Sequence, residues 1–166
     1  MKLDADYLHL ALNHFPIILS ILALGACIAA LIVRRRAAWL YAVATITFAG
    51  LTIYPTYLTG DRAEHEVEEL WYVSGDAIEE HEEAGKFALW VVLVSGAVGA
   101  FAWWRMVRGA DREGTPPAWL RAVVTVAALA SVTTLARTAL LGGEIIHEAD
   151  RLETAPPGVQ APATSR

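Results

Sequence analysis

Cysteine, signature motifs and, over four long stretches, charge are all scarce in this chain. The single cysteine, Cys27, allows no disulfide within the chain and none of the paired-cysteine metal or redox signatures. It falls inside an apolar run, where a small filler is its simplest role. There is no CxxCH, no Rieske ligand set, no phosphate-binding glycine loop, no Rossmann glycine pattern and no serine-centred nucleophile elbow. With 13 Lys and Arg against 18 Asp and Glu, the chain also lacks a basic face for nucleic acid.

The missing charge is the most informative absence. Residues 10–33 and 39–60 hold no Lys, Arg, Asp or Glu, and in 86–107 and 118–142 the only ones are Lys86, Arg105, Arg121 and Arg137. Each run supplies the roughly 20 mostly apolar residues that a helix needs to cross hydrocarbon. Hydrophobic residues make up 55% of the chain and its mean hydropathy is +0.41, so lipid is the expected solvent. The first run reads as a retained span and not a secretory signal, because Asp4 and Asp6 precede it and Arg34-Arg35-Arg36 stand where a small-residue cleavage site would be.

What charge there is sets an orientation. Basic short loops stay on the cytoplasmic side. Arg34, Arg35 and Arg36 fill the first connection, and Arg105, Arg108, Arg112 and Arg121 surround the third. The second, 61–86, has ten carboxylates against Arg62 and Lys86. It is therefore expected outside, together with both termini, and 16 of the 18 acidic residues go with it. Trp39, Trp103, Trp104 and Trp119 lie beside the basic connections, at the expected headgroup level. The fold expected is an all-α, four-transmembrane-helix bundle over residues 1–150, with a short amphipathic helix at about 62–72 in the external loop. The polar, Pro-rich segment 151–166 is expected to be a disordered tail. No internal repeat is evident.

In that topology all five histidines gather at the outer end. His65 sits in an acidic stretch and reads as a surface residue. His9 is either an interfacial anchor or a ligand. His14 lies beside Asn13 and before Pro16, whose missing N–H costs the helix a hydrogen bond unless a neighbour compensates. His81 has Ala77 and Gly85 on its own helical stripe, which leaves room for a flat ring, and His147 follows Gly142-Gly143 in a similar arrangement. Imidazole is the commonest metal ligand, and bundle-core haem and metal sites are built by convergence from several helices. Arg137, inside the fourth span, needs a partner or a wet cavity. It either snorkels or pairs with an external carboxylate, or else binds an anionic group such as a haem propionate.

The pattern His9-x4-His14-Phe15-Pro16-Ile17, the Gly60-Asp61 closing the second span, His81 opening the third, and the closing Gly142-Gly143-Glu144-Ile145-Ile146-His147 together resemble DUF2231, an uncharacterised four-span bacterial membrane domain. The resemblance covers roughly residues 7–148. It implies a multi-pass protein of the bacterial cytoplasmic (inner) membrane, and relatives joined to Rieske or c-type cytochrome modules imply electron transfer. Because this chain has neither module, its redox partner would be a separate cytochrome c or Rieske-type chain.

Three functions remain open from the sequence. The first is a b-type haem electron-transfer subunit with His9, His14, His81, His147 and Arg137 as cofactor-binding candidates. In it the axial pair is drawn from His14, His81 and His147, with His9 as a second-site candidate. The second is a non-haem zinc or iron protein, a hydrolase or an oxidase, on His14, His81, His147 and Glu144. Glu144-x-x-His147 has the spacing of carboxylate-bridged dimetal bundles, which use that element twice. The third is a non-catalytic membrane anchor or sensing subunit. Whether the chain is an enzyme is left open.

Overall fold

The computed structural model describes residues 5–67, 75–111 and 114–153, with side chains at 8–63, 75–111 and 114–145. Five helices account for nearly all of it: α1 (Ala5–Leu12), α2 (His14–Val33), α3 (Arg36–Val67), α4 (Gly75–Arg108) and α5 (Ala118–Glu153). No strand occurs among the described residues. Four helical segments, Leu8–Val33, Arg36–Ala63, Gly75–Arg108 and Ala118–Ile145, are long and apolar enough to cross a bilayer, as in a multi-pass integral membrane protein.

Side-chain distribution fits that solvent. Ile18, Ile21, Leu22, Ile28, Leu31, Phe48, Leu51, Phe87, Trp90 and Val94 point outward, while the buried set includes Ser20, Thr45, Ser95 and Ser131. A water-soluble bundle would reverse that arrangement. The buried stripe of α2 is Pro16, Ser20, Ala23, Cys27 and Ala30, all compact, at alternating spacings of four and three. Such a seam lets helices approach closely where lipid offers no hydrophobic drive for packing. The same logic joins α3 to α4, where a methyl group at Gly96 would lie 2.7 Å from the Gly50 Cα.

Packing contacts run α2 to α3, α3 to α4, α4 to α5 and α5 back to α2, which closes a four-helix ring, and α1 lies on α3. The α2–α3 turn is tight. Arg34 takes a left-handed conformation (φ 53°) and its N–H reaches the Ala30 carbonyl at 2.9 Å, a C-cap usually given to glycine.

Arginines concentrate at one end of the ring. Arg36 Nη2 donates to the Met106 carbonyl at 2.6 Å, and Arg105 Nε donates to Asp111 at 2.7 Å with its guanidinium 5.9 Å from the Trp119 ring. Trp103, Trp104 and Trp119 are exposed there, as expected of interfacial rings, whereas Trp39 is fully buried among Ala42, Val43 and Met106. Of the amphipathic helix expected at about 62–72, residues 62–67 are helical and 68–72 lie outside the described residues. Residues 62–67 continue α3 without a break, since Asp61-Arg62-Ala63 contains nothing that stops a helix. The C-terminal segment from residue 154 lies outside the described residues, and α5 continues to Glu153.

Candidate functional site

At the opposite end two histidines are seated alike on two different helices. His9 of α1 lies against Gly60 of α3. A methyl group at position 60 would come within 2.9 Å of its Cε1 and 3.1 Å of its Nδ1. His81 of α4 lies against Gly142 of α5, and there the corresponding separations are 2.9 and 3.2 Å. In each case the ring's Nδ1 reaches the carbonyl four residues before the glycine. His9 bonds to Thr56 at 3.2 Å and His81 to Thr138 at 3.0 Å.

The chemistry of this seat follows from helix geometry. A helical carbonyl at i−4 points toward residue i, and only a glycine at i leaves a flat ring room to lie beside it. Because a carbonyl can only accept, Nδ1 must carry the proton, and in a neutral ring the basic nitrogen is then Nε2. The carbonyl thus fixes both tautomer and orientation, as for histidines that ligate metals. Both rings are half-buried. No family model, curated protein or solved structure matches the chain. Its site is therefore described from its own residues.

The two seats repeat a short pattern, Thr56-x-x-x-Gly60 and Thr138-x-x-x-Gly142, each near the same end of its helix. Each seat thus pairs a histidine from one helix with a glycine from another, α1 with α3 and α4 with α5. The threonines differ in what else they do. Thr56 Oγ1 shares its one hydrogen between Thr52 O at 2.9 Å and Leu12 O at 3.3 Å. Leu12 O is the carbonyl that Pro16 cannot serve, so the threonine supplies the missing donor. The connection between α1 and α2 is a single residue, Asn13, which keeps helical angles (φ −63°, ψ −24°). Its Oδ1 is buried without a hydrogen-bond partner.

The remaining candidates stand apart. His14 is exposed, and its Nδ1 is held at 2.8 Å by the Leu10 carbonyl of its own helical run. Glu144 is exposed on α5. Arg137 is also exposed, directly before the Thr138 that holds His81, and borders a cleft on the outside of the α4–α5 pair. The side chains of His65 and His147 lie outside the described residues. Gly85, expected to leave room beside His81, has no other group within 4 Å of its Cβ position. The glycine that does make room is on the neighbouring helix. Thr56 and Thr138 are site residues that sequence reading left without a role, Gly60 entered it only as the close of the second span, and Gly142 was assigned to His147 instead of His81, although the repeated Thr-x-x-x-Gly was there to be seen.

Among the described residues no three His, Cys, Asp or Glu side chains are placed to share one metal ion. The donor set on view is a pair of oriented imidazoles.

Proposed function

We propose that this integral membrane protein is a b-type haem electron-transfer subunit whose axial ligands are His9 and His81. The observation that carries the reading is the matched pair of seats, in which two imidazoles from different helices have Nδ1 fixed by a carbonyl and the ring fixed by a glycine. The donor set fits haem. A structural or hydrolytic zinc site takes three or four protein ligands, whereas haem iron asks the protein for two axial ones. When bound, haem would supply one-electron chemistry, and the chain would supply two oriented imidazoles. Thr56 and Thr138 hold the rings by their carbonyls. Asp61, Glu79, Glu80 and Glu83, exposed near the same end, suit electrostatic docking of a basic cytochrome.

The test is a reduced-minus-oxidised visible spectrum of the purified, detergent-solubilised protein, with haem quantification and elemental analysis on the same sample. The expected result is the sharp reduced bands of six-coordinate haem at about one haem per chain. A featureless spectrum after expression with ample haem would sink the reading. Stoichiometric zinc or iron in that sample would instead support the non-haem metal protein, and an absence of both would support an anchor or sensing subunit.

A further inference from the structure

Arg137 carries a charge that no described residue compensates. It lies within the apolar segment Ala118–Ile145 and is exposed on the side of the bundle that meets lipid. A guanidinium cannot be deprotonated in a protein, so in a bilayer it needs a counter-charge or water. None of the described residues gives it a hydrogen bond or an ion pair. The carboxylate of Glu82 is engaged by Lys86 at 2.5 Å, and Glu144 lies about 10 Å further along α5 by helical rise.

Beside the guanidinium is a cleft of about 120 Å³ lined by Ala84, Phe87, Thr133, Thr134 and Arg137. Phe87 is 60% exposed, so the cleft opens away from the bundle. Its hydroxyls are committed as donors. Thr133 Oγ1 donates to the Leu129 and Ala130 carbonyls, and Thr134 Oγ1 to those of Ala130 and Ser131. Arg137 is therefore the cleft's donor, a planar fork suited to two oxygens of an anion.

We propose that Arg137 and this cleft hold the phosphodiester of a phospholipid from the leaflet at the histidine end, with an acyl chain running along Phe87. The mouth faces lipid, and the anionic oxygens available there belong to phospholipid headgroups. A lipid without a phosphodiester would leave the guanidinium uncompensated. The site stands independently of the haem reading, although it lies one residue from the carbonyl that holds His81.

Native mass spectrometry of the delipidated full-length protein in mild detergent tests this. The protein is titrated with phosphatidylglycerol, phosphatidylethanolamine and a diacylglycerol of the same acyl chains. Wild type is expected to retain one molecule of either phospholipid and no diacylglycerol. Arg137→Gln should weaken phospholipid binding about tenfold, the loss of a charge-assisted hydrogen-bonded pair. Arg137→Lys keeps the charge but loses the fork and should fall between the two; it carries the test if the glutamine variant does not fold. Wild-type phospholipid affinity in both variants, equal binding of diacylglycerol, displacement of the lipid by millimolar inorganic phosphate, or no adduct on wild type would each overturn the proposal.

Discussion

Gly142→Ala adds one methyl group where His81 rests, and its effect can be worked from the distances. The new carbon would sit 2.9 Å from Cε1 and 3.2 Å from Nδ1. Comfortable contact between carbons is about 3.5–4.0 Å, so the ring must retreat by about 0.6–1 Å. The Nδ1 bond to Thr138 O is 3.0 Å long, and a retreat of that size takes it to or beyond the about 3.5 Å at which a hydrogen bond ceases to count. The bond itself contributes about 0.5–1.5 kcal/mol. Losing the group that orients a ligating histidine typically lowers metal affinity about 10–100-fold. Haem affinity should therefore fall about tenfold or more, read as Kd by titrating the apo-protein with haem in detergent. The control is the adjacent Gly143→Ala, because no described residue lies within 4 Å of a methyl group there. Both changes favour helix by about 0.5–1 kcal/mol, so general destabilisation predicts neither loss. Equal haem affinity in the two variants would refute the seat.

Other outcomes follow from the same geometry. Gly60→Ala should weaken haem binding to a similar degree, since its methyl group would meet His9 Cε1 at 2.9 Å; unchanged haem affinity would remove His9 from the site. Thr56→Val leaves the Leu12 carbonyl, already without an N–H because of Pro16, with no hydroxyl partner, and should cost about 1–2 kcal/mol of stability, seen as a lower Tm in detergent. Gly96→Ala pushes a methyl group to 2.7 Å from the Gly50 backbone. The helices must separate, which should cost about 1–3 kcal/mol, whereas Gly85→Ala, with open space around it, should leave Tm unchanged or slightly raised.

The four spans were legible because absence of charge over a bilayer's length is a property of the sequence itself. Helix ends were less so. Gly60-Asp61 marks where α3 ceases to be apolar, but the helix continues to Val67 because leaving hydrocarbon and ending a helix are separate events. Trp39 shows the limit of the interfacial rule. Its position beside the arginines suggested the headgroup level, yet the ring is fully buried among small side chains of the core. The histidine seats were the least legible part. Spacing along one helix drew attention to Ala77 and Gly85 around His81, and to Gly142-Gly143 for His147. Gly142 instead receives a ring from α4, and that contact depends on which helices are neighbours. His14 was a candidate ligand beside Pro16, but its ring is exposed and bonded to Leu10 of its own run.

Ligand identity is tested most directly by low-temperature electron paramagnetic resonance of the oxidised, haem-loaded protein, comparing wild type with His9→Ala, His81→Ala and His14→Ala. If His9 and His81 are the axial pair, wild type and His14→Ala show a low-spin signal, and both His9→Ala and His81→Ala convert to high spin or lose haem. A low-spin signal unchanged in either His9→Ala or His81→Ala would contradict the pairing.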